Sequence, residues 1–112
     1  MTCIMPANHQ IIFCTCPDKN TATTLARLLV EASQAACVNI MPGITSVYSW
    51  QGQIESADEH LLLIKAHKDH YPAIESTLRA HHPYQLPEII AVNIERGLPE
   101  YLHWIDSCHS LK

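Results

Sequence analysis

The alternation of β-branched runs with helix-periodic segments constrains the fold of this chain more than any other feature of its sequence. Residues 10–16 are rich in isoleucine, phenylalanine and cysteine and stop at Pro17, which predicts a strand. Alanine and leucine then recur at helical spacing from residue 22 to residue 32, and Asp18 or Asn20 can serve as the N-cap of that helix. The helix is expected to end near Ser33. The first third of the chain is therefore predicted to be a strand followed by a helix.

The same order returns later in the chain. A second helix is predicted to begin at Asp69, with Pro72 in its first turn. The Gln51-Gly52 dipeptide is typical of a hairpin tip. The other strands are predicted at residues 35–41, 44–50, 61–66 and 88–94. The polar residues 55–60 lead into the strand at 61–66, and a short helix is predicted after residue 98.

This order predicts an α+β fold, the ferredoxin-like βαββαβ arrangement with an extended β2-β3 hairpin and a short C-terminal helix. Right-handed crossovers place both long helices on one face of the sheet. The predicted strands nevertheless carry apolar residues on both faces, and a large apolar sheet face usually covers a partner. We therefore expect a homo-oligomer.

Length and composition are those of one globular domain, residues 1–112. The net charge of −4 comes without a basic cluster, which argues against a nucleic-acid partner, and no apolar stretch is long enough to span a membrane. The first ten residues do not resemble a secretory signal. Five cysteines without zinc-finger spacing indicate free thiols, so a cytoplasmic location is expected.

Residues 81–90 combine two adjacent histidines, two prolines, a tyrosine and a glutamate in one short turn. Pro83 disfavours the helical conformation at His82, and Pro87 cannot donate to a sheet ladder. A stiff loop that carries imidazole and carboxylate groups is a candidate functional segment. The alternative is a plain connection between a helix and a strand.

Several spaced motifs occur together and in order along the chain. They are Ala36-Cys37-Val38-Asn39-Ile40 with Pro42-Gly43, then Ser46, Tyr48, Trp50, Gly52, Glu59 and Ile64-Lys65, then His82-Pro83-Tyr84, Pro87-Glu88-Ile89, Tyr101-Leu102 and Trp104. Together these motifs resemble the CutA family of divalent-cation tolerance proteins. The resemblance covers nearly the whole chain and implies a ferredoxin-like fold, similar to that of the PII signalling proteins, and a tight trimer.

The resemblance also implies a metal site at Cys14, His81 and His82, the positions at which similar proteins are thought to hold copper. Thiolate and imidazole are suitable donors for copper or zinc. Because neighbouring residues of a helix or strand point in different directions, both imidazoles can reach one ion only through irregular backbone or a neighbouring subunit. The alternative is a small buried thiol beside two solvated histidines.

A second candidate site is a cleft of aromatic and charged side chains, which in the family lies near the boundary between subunits. Such residues could bind a ligand, or they could simply anchor the trimer interface. The set comprises Cys37, Trp50, Glu59, Lys65, Tyr84, Glu88, Tyr101 and Trp104.

An enzymatic role is less favoured, because the apolar neighbours of Cys37 would raise the pKa of its thiol and no phosphate-binding glycine loop is present. We expect a cytoplasmic homotrimer that binds divalent metal ions, with copper as the favoured ion, and contributes to metal tolerance. The alternative is a PII-like regulator that binds a small anion or metabolite in the cleft and acts through a protein partner.

Overall fold

A computed structural model of the protein describes residues 7–109. One four-stranded sheet has the strand order β2-β3-β1-β4, and every neighbouring pair is antiparallel. This is the ferredoxin-like βαββαβ fold predicted from the sequence. In chain order the elements are β1 His9–Cys16, α1 Lys19–Glu31, β2 Cys37–Trp50, β3 Gln53–His67, a 3₁₀ turn Lys68–His70, α2 Tyr71–His81, β4 Ile90–Asn93 and α3 Pro99–His109.

One apolar core lies between the sheet and the pair of helices α1 and α2. Alternate residues of β1 and β3 point into it, among them Ile12 and Ile64, and both are fully buried. Leu25 and Leu29 enter it from α1, and Leu78 enters it from α2. Both long helices therefore cover the same face of the sheet, as the right-handed crossovers predicted.

The β2-β3 hairpin is more continuous than the sequence indicated. The predicted strands 35–41 and 44–50 form the single strand β2, and the polar residues 55–60 belong to β3. The interruption at Pro42-Gly43 is a shift of register between Met41 and Ile44. A bulge can hold a proline, which has no backbone donor, and a glycine with a φ of 79° without ending the strand.

The tip of this hairpin is the predicted Gln51-Gly52 turn. Both residues have positive φ, 51° and 81°, as in the type I′ turn that suits the twist of a two-residue hairpin. The turn is therefore decided by local backbone preference.

The starts of the two long helices differ from each other. The Asp18 side chain caps α1 by accepting a 2.7 Å hydrogen bond from the Thr21 amide, as one of the two predicted caps. The prediction that Asp69 caps α2 is wrong: Asp69 lies in the 3₁₀ turn, and its amide donates to Nδ1 of His67. The helix begins two residues later, with His70 at the N-cap and Pro72 in the first turn.

Helix α3 lies on the opposite face of the sheet from α1 and α2. His9 and Lys65 alternate with the core-facing residues of their strands, and both contact α3, through Asp106 and Tyr101 respectively. Elsewhere the edges of this face expose apolar side chains, such as Met41, Ile90 and Val92. No helix in the described part of the chain combines the length and the apolar character needed to cross a bilayer.

Candidate functional site

Two cysteines and one histidine come together at the end of β1. Cys14 and Cys16 lie two residues apart, so they point to the same side of the strand, and both are fully buried. His82 joins them from the turn after α2 and is 9% exposed. The potential ligand atoms of the three residues all lie within 4.8 Å of one another. Within residues 7–108 this is the one such group of three or more histidine, cysteine or acidic side chains.

The cluster differs in membership from the predicted set. Cys14 and His82 are brought together as expected, whereas His81 is the last residue of α2, is exposed and lies outside the cluster. Cys16 was not predicted as a donor. Its position two residues from Cys14 in a strand was the available signal, because that spacing puts both thiols on one face.

Both ring nitrogens of His82 are engaged in hydrogen bonds. The Tyr84 amide donates to Nδ1 over 3.1 Å, so this nitrogen is an acceptor. The proton of the neutral ring is then on Nε2, which lies 2.8 Å from the Thr15 carbonyl oxygen and donates to it. The ring can offer a lone pair to a metal only by giving up one of these bonds. His82 is thus a potential metal ligand, and its two hydrogen bonds also hold the turn after α2 against β1.

The two thiols share one hydrogen bond. Donation from the Cys14 thiol, together with burial, raises the pKa of Cys14 well above its usual range. Accepting that bond lowers the pKa of Cys16. Because the two sulfurs interact this strongly, they lose their protons in two steps that belong to the pair.

A cavity of about 620 Å³ lies next to this cluster, between the hairpin and the turn after α2. We call it the Glu59 cleft. It contains four of the eight predicted cleft residues and adds polar side chains from β1, from β2 and from the turn. Its lining consists of Thr15, Ser46, Val47, Tyr48, Ser49, Trp50, Glu59, Tyr84, Gln85, Leu86 and Glu88.

A hydrogen bond links the turn to β3 at the cleft. The Tyr84 hydroxyl donates to Oε2 of Glu59 over 2.7 Å, and Glu59 is only 6% exposed. Burial, followed by the bond to Glu59, raises the pKa of Tyr84 well above its usual value of 10.0. The hydroxyl therefore keeps its proton and remains a donor throughout the physiological pH range.

The other four predicted cleft residues lie elsewhere in the chain, around α3. The Lys65 ammonium is 5.7 Å from the centre of the Tyr101 ring, which is within the range of a cation–π contact. The Tyr101 and Trp104 rings lie 5.5 Å apart, and Cys37 pairs with Lys65 in the β2-β3 register. Within one chain, the predicted cleft is thus two separate groups.

Sequence comparison identifies relatives of this chain among curated proteins. The sequence model of the CutA1 divalent ion tolerance protein family matches residues 10–108. The divalent-cation tolerance protein CutA of Thermus thermophilus is 44% identical over 97 residues, which is 87% of this chain and 94% of that protein. Protein CutA of Mus musculus is also 44% identical, over 90% of this chain, but the match spans only 57% of the mouse protein. The chain thus covers little more than half of that relative.

Solved structures show the same similarity in three dimensions. The crystal structure of CutA from Xylella fastidiosa superimposes with a TM-score of 0.90, at 47% identity, and covers 93% of this chain and 100% of that one. The Thermus thermophilus divalent cation tolerance protein gives a TM-score of 0.85 at 43% identity, over 87% of this chain and 94% of that one. Sequence and fold agree: the chain belongs to the CutA1 divalent ion tolerance protein family.

Proposed function

We propose that this protein acts in metal tolerance as a homotrimer that binds copper through Cys14, Cys16 and His82. The observation that carries the proposal is the convergence of two thiols and an imidazole within 4.8 Å in a buried part of the fold. The names of the relatives, which are divalent-cation tolerance proteins, support the same class of function.

The donor set favours a soft or borderline metal ion. Sulfur and imidazole ligands suit copper and zinc, whereas magnesium and calcium take oxygen ligands. Two sulfurs on one strand face and a histidine from the facing turn can be used with little movement of the backbone. The costs are the loss of the shared thiol proton and of one His82 hydrogen bond. Metal affinity is therefore expected to rise with pH.

His81 remains part of the proposal as an auxiliary donor. Its side chain is exposed at the end of α2, so it could reach only an ion outside the buried cluster or one shared with another subunit. A cytoplasmic location fits this site, because a reducing environment keeps Cys14 and Cys16 as thiols.

The trimer accounts for the apolar side chains left uncovered in a single chain. Ile54 at the hairpin and Leu86 in the turn are 77% and 72% exposed, and Ile90 on the edge strand is 55% exposed. Exposed apolar groups along a hairpin and a sheet edge are typical of surfaces that pair with another chain. A light-scattering mass of three chains at micromolar concentration is expected, and a single-chain mass would contradict the assembly.

Anaerobic titration of the purified protein with Cu(I), and separately with Zn(II), tests the metal site. We expect the Cys14→Ser and Cys16→Ser variants to lose at least about tenfold in copper affinity, since each removes a preferred sulfur donor. Cys37→Ser is the matched control, because Cys37 lies in β2 outside the cluster. Wild-type affinity in the double variant Cys14→Ser, Cys16→Ser would overturn the site.

The alternative, a PII-like regulator that binds a small anion, finds less support in the cleft of a single chain. Two carboxylates, Glu59 and Glu88, line that cleft, and Lys65 lies against Tyr101 instead. Like charges would repel an anionic ligand there. A thermal shift produced by nucleotides or carboxylates, and not by copper or zinc, would favour the regulator over the metal-binding protein.

A further inference from the structure

We propose that His60 is a fourth donor to the cluster of Cys14, Cys16 and His82, and that the completed site holds Zn(II). This inference rests on the proposed metal function, because it concerns the same cluster, and it adds a ligand and an ion that the cluster of three does not specify. It is carried by the position of His60 in the sheet, by an unpaired nitrogen of its ring and by the chemistry of the donor set.

The strand register brings His60 next to the thiols. His60 on β3 lies directly opposite Cys16 on β1 in the antiparallel pairing of the two strands. Side chains of directly opposed residues point to the same face of a sheet, and their β-carbons lie about 4.5 to 5.5 Å apart. Leu62, the next residue of β3 on that face, is packed in the core with Cys14 and Cys16. The His60 ring is therefore a neighbour of the Cys16 side chain.

One nitrogen of the His60 ring lacks a hydrogen bond. Nδ1 is buried, and none of the residues that the structure describes provides a partner for it. Among those residues, Gln10 is the one other whose side chain has a buried polar atom of this kind. Buried polar atoms in folded proteins are almost always paired, and an exception calls for a role such as holding an ion. Nδ1 of the neutral ring carries a lone pair when the proton is on Nε2, so this atom can bind a metal.

His60 can offer that lone pair more readily than His82 can. Both nitrogens of His82 take part in hydrogen bonds, and one of these is lost on coordination. His60 loses no bond at Nδ1 to any described residue. His60 lies outside the group of ligand atoms within 4.8 Å of one another, so its nitrogens are farther than 4.8 Å from at least one of them. Coordination thus requires the ring to turn towards Cys16, and no hydrogen bond at Nδ1 within the described part of the chain opposes this rotation.

Two sulfur and two nitrogen donors are a ligand set typical of zinc. Structural zinc sites are almost always four-coordinate and tetrahedral, and two cysteines with two histidines are one of their common forms. Two thiolates also balance the charge of a divalent ion, which makes the ion more favourable in a buried place. Cu(I) is selected by soft sulfur ligands, so it depends less on a second imidazole. Loss of His60 should therefore weaken zinc binding more than copper binding.

Anaerobic competition with a chromogenic chelator measures the affinity of the full chain for Zn(II) and for Cu(I). The His60→Phe variant keeps an aromatic ring but removes both nitrogens. We expect it to lose at least about tenfold in zinc affinity, and less than that in copper affinity. His60→Ala is the second variant, should the phenylalanine ring fail to fit. Wild-type zinc affinity in a folded His60 variant, or a wild-type protein that binds copper but not zinc, would overturn the proposal.

X-ray absorption at the zinc edge counts the ligands directly. The wild-type protein loaded with equimolar zinc should show two sulfurs at about 2.3 Å and two imidazole nitrogens at about 2.0 to 2.1 Å. The His60→Phe variant should lose one imidazole and keep both sulfurs. Two imidazoles in that variant, or only one in the wild type, would contradict a fourth donor at His60.

Two further histidine variants serve as comparisons. His103→Ala removes an exposed imidazole of α3 and should keep the wild-type zinc affinity. His81→Ala tests the competing donor at the end of α2, which is likewise exposed. A loss of zinc affinity and of one imidazole in His81→Ala, with neither loss in His60→Phe, would assign the fourth position to His81 and overturn the proposal.

Thermal stability and copper binding separate this inference from a loss of fold and from the proposed function. Without metal, His60→Phe should unfold at the wild-type temperature or above it, because the substitution breaks no bond between Nδ1 and a described residue. The double variant Cys14→Ser, Cys16→Ser should lose both copper and zinc. Copper binding that depends on the cysteines, together with zinc binding that does not depend on His60, would overturn the fourth donor alone. Copper binding that survives the double variant would overturn the cluster itself.

Discussion

The Nε2 atom of His82 lies 2.8 Å from the carbonyl oxygen of Thr15, and this contact fastens the turn after α2 to the end of β1. The same ring accepts from the Tyr84 amide, and the Tyr84 hydroxyl reaches Glu59 on β3. A chain of three hydrogen bonds thus runs from β1 through the turn to β3. The thiol cluster and the Glu59 cleft are built around the same short segment, residues 82–84.

Replacement of His82 with alanine should destabilise the protein markedly. The substitution removes two hydrogen bonds and leaves the Thr15 carbonyl oxygen with only the weak 3.9 Å contact from the Cys14 thiol. The expected loss is about 2 to 4 kcal/mol in the free energy of unfolding. Urea unfolding followed by circular dichroism measures the loss. His81→Ala is the matched control, and its exposed side chain predicts a change within about 0.5 kcal/mol. Equal losses of unfolding free energy in the two variants would contradict the role of His82 in holding the turn against β1.

The Tyr84→Phe variant should lose stability in a pH-dependent manner. At neutral pH the variant lacks the hydrogen bond to Glu59, which predicts a loss of about 1 to 2 kcal/mol. The pKa of Tyr84 is raised in the folded state, so its stabilising contribution is complete below the unfolded value of 10.0 and declines as the pH rises above it.

The measurement for Tyr84 is the difference in unfolding free energy between wild type and variant at several pH values. We expect this difference to be constant near neutrality and to shrink above about pH 10. Taking the difference cancels the titration of Tyr71, whose pKa is also raised by burial. A difference that grows with alkaline pH would show that the sign of the shift is opposite.

Two substitutions at the tip of the β2-β3 hairpin should have opposite effects on the stability of the protein. Gly52 has a φ of 81° and open space where a β-carbon would lie, so Gly52→Ala should cost about 1 to 2 kcal/mol through backbone strain alone. Gln51 adopts a φ of 51°, which asparagine tolerates better, so Gln51→Asn should raise the midpoint of thermal unfolding. Thermal unfolding of both variants checks the pair. Stabilisation by Gly52→Ala would be incompatible with a type I′ turn.

The cap of α1 should show the opposite pH dependence from that of Tyr84. Hydrogen bonds from Thr21 lower the pKa of Asp18 in the folded state. Its contribution is therefore present above the unfolded value of 3.8 and is lost as the pH falls below it. Asp18→Ala should lower the thermal midpoint at neutral pH and have little effect under strongly acidic conditions. Asp69→Ala is the comparison, and we expect a smaller effect because Asp69 does not cap α2.

Much of the local structure could be predicted because it depends on residues close together in the chain. The Asp18 cap and the Gln51-Gly52 turn each depend on neighbours within four positions. The extended backbone at His82 likewise follows from Pro83. Asp69 was misassigned because several polar residues in a row can start a helix, and packing of the apolar stripe of α2 selects among them.

Only the tertiary structure decided which residues far apart in the sequence come together. The sequence by itself determined the order of elements, the ferredoxin-like class and the pairing of Cys14 with His82 through the family resemblance. Whether Cys16 or His81 completes that cluster depends on the direction of each side chain, which the strand face and the end of α2 decide. The eight predicted cleft residues fall into two groups, one around Glu59 and one around Lys65, for the same reason. Strand register and the docking of α3 set the distances between residues far apart in the sequence.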